Sequence, residues 1–261
     1  MDLTDEERGW ALSIKKAMMD ADPAFAQSIS DFEYAQHAIV AKEKISKALR
    51  RIRRLRDFKQ EHGISRENET LEAGLELIQR FEQLAPGFFM AFGQDEKGGS
   101  ITTWHYSSFF PKNFEKAQDW RNCFAAFYYL MEAMQPDIAA VRQGVVFLAD
   151  CKGIGWRNFS LEMEKHAAKL YQDAYPVRIK QMDMVNSPVL MKAMYTLCKP
   201  FLSKKLKEII RIDEKSEDLH THLARDVLPA TFGGTQTSMD MNKNIEELLR
   251  KRFENKAKFK L

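Results

Sequence analysis

No stretch of this chain approaches the roughly 18 consecutive apolar residues that a bilayer-spanning helix needs, so no membrane span is expected. Cysteine is scarce, with Cys123, Cys151 and Cys198 the only three among 261 residues. None forms a C-x-x-C pair, one is left over, and each sits among apolar neighbours, which predicts free thiols in a reducing compartment. Catalytic signatures are missing as well. There is no G-x-S-x-G elbow, no G-x-G-x-x-G after a strand and no phosphate loop around Gly98-Gly99. His37, His62, His105, His166, His220 and His222 show no H-E-x-x-H spacing, and His220 and His222 fall on opposite sides of a helix. Asp150 closes an apolar run but has no nucleophile near it in sequence. Neither a metal nor an enzymatic activity is expected. The net charge of +3 is too small to argue for nucleic acid. The acidic, polar opening MDLTDEERGW does not resemble a signal peptide, so a cytoplasmic protein is expected.

What is present reads as a soluble globular composition, 44% apolar and 30% charged, long enough for one large α/β domain with a helical extension. Residues 4–20 carry Trp10, Leu12, Ile14, Ala17 and Met18 at helical spacing behind a Thr4/Glu7 capping box. Residues 31–61 read as a long helix, with Asp31 as its cap, His62-Gly63 as its stop and an interruption near Lys44–Ser46. Within it, Arg50, Arg51, Arg53, Arg54 and Arg56 surround Leu49, Ile52, Leu55 and Phe58. That run fits either a solvated face docked through its apolar stripe or a contact with anionic membrane. No aromatic-interleaved platform supports nucleic acid.

A helix over 65–84 leads to a hairpin, with short strands on either side of Gln94–Gly99. A helix over 113–135 follows. Gly144–Asp150 is a continuous apolar run ending on an acid, the pattern of a strand buried on both faces. Ser160–Tyr171 reads as a crossover helix, and Arg178–Val185 alternates as a strand, with Ile179, Gln181, Asp183 and Val185 on one side. A right-handed crossover makes the two strands parallel. A further strand is expected at Ile209–Ile212, a short helix at 218–223, and a basic helix or fraying tail after residue 237.

The stretch AYPVRIKQMDMVNSPVLMKAMYTLCKPFL is the most informative. Asn186-Ser187-Pro188 is a turn able to start a helix, with Ser187 as N-cap and Pro188 at the first position. The helix that follows is apolar on nearly all sides, with only Lys192, Thr196 and Lys199 polar, whereas a surface helix carries a stripe about 100° wide. It is either a central core helix or a lid over an apolar cavity, in which adaptable methionines suit exchangeable contents.

AYPVR, NSP, KPFL and LPATFGG, in this order and spacing, resemble the CRAL-TRIO family of lipid-binding proteins, and most nearly its tocopherol and retinaldehyde carrier branch. The resemblance covers roughly residues 85–236. It is weaker before that, where His37-Ala38-Ile39 stand in place of an arginine-led run. It implies an α/β fold with a mixed, mostly parallel sheet and a lipid cavity closed by a mobile gate helix, Ser187–Lys199. An N-terminal helical subdomain (1–84) would precede the lipid-binding domain (85–236) and a basic C-terminal helix (237–261) would follow. It further implies a monomeric carrier with no cofactor, making transient contact with anionic membranes. The expected cavity residues are Phe147, Ala149, Ile154, Trp156, Leu170, Tyr171, Tyr175, Ile179, Met182, Met184, Val189, Met191, Met194, Tyr195 and Leu197. Family members that hold phosphatidylinositol place Glu after Y-P and Lys after the gate. Here Val177 and Ile209 stand there, which favours a weakly polar ligand such as tocopherol, a retinoid, a carotenoid or a sterol. Arg50, Arg53, Arg54, Arg178, Lys180, Lys205 and Lys207 are the expected membrane or phosphate contacts. The alternative is a phospholipid-binding or protein-interaction module on the same fold.

Overall fold

The computed structural model describes residues 2–95, 97–214, 219, 223–235 and 238–261. The chain opens with α1 (Asp5–Ala21), α2 (Pro23–Ala26), α3 (Asp31–Ala41) and α4 (Ile45–Glu61). The Thr4/Glu7 capping box is present, with the Glu7 N–H donating to Thr4 Oγ1 at 3.2 Å. At α3 the cap is Ser30 rather than Asp31. Ser30 and Glu33 form the reciprocal box, while Asp31 pairs with Lys15 at 2.7 Å. Helices α3 and α4 are separated by Lys42, whose φ of 55° no helix accommodates.

The hydrophobic core joins these helices to the rest. Ala11, Ile14, Tyr34, Ala48 and Ile52 form one cluster. One and two turns further along α4, Leu55 and Phe58 enter the main core with Phe81, Phe124 and Phe127. Helix α5 (Leu71–Leu84) begins later than the sequence pattern implied, capped by Thr70. It lies on α6 (Ala117–Ala133), where a side chain at Gly74 would meet the Tyr129 ring at 2.6 Å.

Among the described residues five strands form one sheet in chain order: β1 (Phe89–Gln94), β2 (Ser100–His105), β3 (Val145–Asp150), β4 (Ile179–Val185) and β5 (Ile210–Glu214). The β1–β2 hairpin is antiparallel and the remaining pairs are parallel. Helices α7 (Ile138–Gln143), α8 (Leu161–Lys169), α9 (Val189–Cys198) and α10 (Lys204–Ile209) sit between strands. Residues 204–209 are thus helical, and the last strand starts at Ile210. The short helix expected at 218–223, with His220 and His222, falls outside the described residues except for Leu219 and Leu223. Helix α11 (Ser238–Lys258) ends the fold. Among the described residues no helix is long and apolar enough to cross a membrane.

Strand β4 departs from simple alternation. Val145 pairs with Ile179, but Val146 pairs with Gln181, so Lys180 is an extra residue, a β-bulge. The bulge moves Ile179 to the face carrying Phe147, Met182 and Met184, instead of the face holding Val185 and Leu148. Gly144, just before β3, has φ +82°. A Cβ there would fall 2.4 Å from the Arg178 carbonyl oxygen, so only glycine lets the two strands start side by side.

Candidate functional site

One face of the sheet is crossed by α9, which runs from the carboxyl end of β4 back toward the start of β5. At its amino-terminal end, Asn186 adopts φ 53°, a conformation that asparagine tolerates through local hydrogen bonding. Its Nδ2–H donates to Asp150 Oδ1 at 3.0 Å, and the other Asp150 oxygen faces His105 Nδ1 at 3.6 Å. Burial would raise the Asp150 pKa. Hydrogen bonds from His105, Asn186 and the Lys152 N–H outweigh that and hold the carboxyl below its usual range. The hinge is therefore tied to the ends of β2 and β3. The helix begins at Val189 with Pro188 as its N-cap. Ser187, expected to cap it, instead donates its hydroxyl to the Met184 carbonyl at 3.0 Å.

At the other end the Gln172 side chain ties the turn to the preceding chain. Between α8 and β4 the chain forms one π turn, Leu170–Ala174. From it, Gln172 Nε2–H donates to the Phe201 carbonyl at 3.2 Å, and its Oε1 accepts from the Ser203 N–H. The Gln172 carbonyl in turn accepts from Arg51 Nη2 at 3.0 Å. Helix α4, the π turn and the exit of α9 are thus linked through Gln172, which the sequence reading missed.

Beneath α9 lies a cavity of about 50 Å³, bordered by Ile154, Tyr171, Met182, Met184, Met191, Met194 and Tyr195 among the expected residues. Trp104, Tyr106, Phe159, Glu164, Ala167, Ala168, Cys198, Leu202, Leu206 and Ile210 also line it, and none of these was expected. The rest of the expected set lies elsewhere. Phe147 packs behind Trp104 and Tyr171, at ring distances of 5.0 and 5.6 Å. Ala149, Leu170 and Ile179 belong to the surrounding core, and the Tyr175 hydroxyl donates to Glu132 at 2.6 Å. Three face outward: Val189 is 88% exposed, Trp156 55% and Leu197 47%. Helix α9 is therefore amphipathic in use. Met191, Met194 and Cys198 are buried beneath it while apolar residues also meet solvent.

Among the described residues, Glu164 is the one acidic or basic side chain on the cavity wall. Burial pushes its pKa up to about 7, partly offset by a hydrogen bond from Tyr106. Trp104 is buried, yet its Nε1–H has no hydrogen-bond acceptor. Cys151 and Cys198 are pushed up to about 12 by burial, so both are inert thiols.

The expected basic contacts scatter. Arg54 pairs with Asp173 at 2.8 Å, and Arg178 donates to the Arg142 carbonyl at 2.8 Å. Arg50, Arg53, Lys180, Lys205 and Lys207 are exposed. The pKa of Lys47 is lowered, first by its own burial and then by the charges of Arg51, Lys205, Lys44 and Arg50. The start of α4 and α10 therefore share one basic patch.

Several known proteins are similar. Human alpha-tocopherol transfer protein-like is 28% identical over 162 residues, 60% of this chain and 46% of its own length. Human clavesin-2 is 26% identical over 208 residues, 73% of this chain and 61% of its own. The human tyrosine-protein phosphatase non-receptor type 9 is 32% identical over 109 residues, only 18% of its length. The chain thus spans about half the length of the first of these relatives. The crystal structure of Sfh5 superposes with a TM-score of 0.63 at 14% identity, over 98% of this chain and 100% of its own, which supports the fold. The CRAL/TRIO domain matches residues 84–234, more than half of the sequence, and with the parallel sheet and its overlying helix in place, the chain belongs to the CRAL/TRIO domain family of lipid-binding proteins.

Proposed function

We propose that this protein carries a weakly polar lipid beneath α9 and exchanges it at a membrane surface by swinging that helix outward. The observation that carries this reading is the position of α9. It covers an apolar, methionine-lined cavity, and hydrogen bonds tie its ends at the Asn186 hinge and, at its exit, to Gln172. A volume of about 50 Å³ is well below the ~300–1,000 Å³ of ligand pockets. Entry of a lipid therefore requires α9 to move and the methionine side chains to change rotamer, which their unbranched chains permit.

The energetics favour exchange at a bilayer. Removing about 400 Å² of apolar ligand surface from water contributes roughly 10 kcal/mol before ordering costs. Release into water forfeits that, whereas release into a bilayer does not. Val189, Leu197 and Trp156 present apolar surface on the outer side, and the patch of Lys44, Lys47, Arg50, Arg51 and Lys205 suits anionic headgroups. In this reading residues 1–84 are a helical subdomain that steadies the gate through Arg51, and the last segment, 237–261, braces the sheet through α11.

The test is a lipid extract of the purified protein, combined with transfer between donor and acceptor vesicles. A carrier yields an apolar molecule near one per chain and accelerates transfer, and Met194→Trp, which fills the cavity, lowers both. No extracted lipid together with no acceleration overturns the reading.

A further inference from the structure

Within the proposed cavity the polar groups are few and lie together. Trp104 and Tyr106 have ring centroids 6.1 Å apart, Trp104 and Tyr171 6.0 Å, and Glu164 lines the same cavity as Trp104 and Tyr106. The Trp104 Nε1–H is a donor with no acceptor among the described residues, and an unmatched buried donor is destabilising. A ligand oxygen that reached this donor on a cavity-lining residue would satisfy it. Among the described residues no lysine, arginine or histidine lines the cavity, so an anionic headgroup would meet a carboxyl with none of these to balance it.

We propose that Glu164, Tyr106 and Trp104 form a polar seat that selects lipid alcohols over lipid anions. This deepens the carrier reading and rests on it. In the seat, the ligand oxygen accepts from Trp104 Nε1–H and its hydroxyl hydrogen is donated to Glu164, while Tyr106 holds the other side of that carboxyl. Near neutrality both protonation states of Glu164 are populated. A hydroxyl serves either, donating to the carboxylate or accepting from the acid, whereas a carbonyl oxygen can only accept. A fatty or terpenoid carboxylate would be desolvated beside Glu164 and repelled by its charged form.

The test uses two probes that share one fluorescent chain, cis-parinaric acid and the alcohol obtained by reducing its carboxyl group, titrated into the full-length protein at neutral pH. The alcohol is expected to bind at least about tenfold more tightly than the acid. Glu164→Gln removes the repulsion and narrows that ratio to less than about threefold, mainly by gaining affinity for the acid. Trp104→Phe keeps the ring packing and weakens the alcohol by about three- to tenfold while leaving the acid little changed. A thermal melt confirms that each variant is folded, and either variant alone suffices for the decision. If the wild-type protein binds both probes equally, or a folded variant keeps its ratio, the seat is wrong and the carrier reading stands. If neither probe binds, and no lipid is extracted, the carrier reading fails and the seat with it.

Discussion

Arg252 is fully buried, a rare place for a guanidinium. It donates to both Glu132 oxygens at 3.0 Å, to Gln36 Oε1 at 2.6 Å and to the Gln135 carbonyl at 3.1 Å, and it lies 4.3 Å over the Phe32 ring. Around it, Glu33, Glu69 and Glu132 are matched by Lys59, Arg252 and Lys256. Burial alone would raise the Glu132 pKa, but these cations hold it low. Arg252→Met is expected to cost about 3–5 kcal/mol in urea unfolding, because it strands Glu132 without its partner. Adding Glu132→Leu to it is expected to recover part of that loss.

Three other residues set a pH dependence. Burial lowers His37 to about 3 and His62 to about 4, while it raises Glu164 to about 7. Each histidine contributes stability that is intact above its unfolded pKa of 6.5 and is lost as pH falls. Glu164 contributes stability that is intact below 4.5 and is lost as pH rises through its folded pKa. Between those two values the unfolded chain therefore binds about one proton more than the folded chain. From these groups stability rises by roughly 1.4 kcal/mol per pH unit. Glu164→Gln removes the opposing contribution and is expected to double that slope, read as urea midpoints across the window.

At the scale of elements, Gln172 decides how firmly α9 is held at its exit. Gln172→Ala removes the side-chain bonds to Phe201 and Ser203 while leaving the main-chain bond to Arg51. It is expected to cost about 1–2 kcal/mol of local stability, to raise hydrogen exchange in 199–203 and to speed lipid release several-fold, with the sheet amides unchanged. The sequence made α9, β3 and the crossover legible because each rests on local patterning: a nearly all-apolar helix after N-S-P, a continuous apolar run, a helical repeat. Which side chains would meet in the cavity was far less legible. Val189 and Leu197 are apolar and yet exposed, since an apolar position on a helix does not state which way it turns. Ile179 was placed on the wrong face because the bulge at Lys180 depends on pairing with β3. Glu164 and Trp104 carry no motif, and only the fold brings them together. Gln172 was invisible for the same reason, its partners lying about 30 residues downstream.

For the whole molecule, the proposed membrane contact depends on two elements distant in sequence, the start of α4 and α10. Lys47→Glu with Lys205→Glu is expected to weaken binding to vesicles containing anionic lipid by more than about tenfold, at roughly 1 kcal/mol per basic residue near the surface. The effect should fade at high salt. Arg54→Gln, which removes only the Asp173 pair, is expected to leave vesicle binding nearly unchanged. Equal binding by the Lys47/Lys205 double variant would move the docking surface elsewhere.

The late position of Arg252 and Lys256 also has a consequence for biosynthesis. Glu33, Glu69 and Glu132 leave the ribosome before Arg252 and Lys256, so until α11 emerges Lys59 faces Glu33 and Glu69, and Glu132 lacks both of its cations. Final compaction of the helical layer waits for α11 to emerge. A product cut short before Arg252 leaves Glu132 without its cations, a ready substrate for cellular quality control.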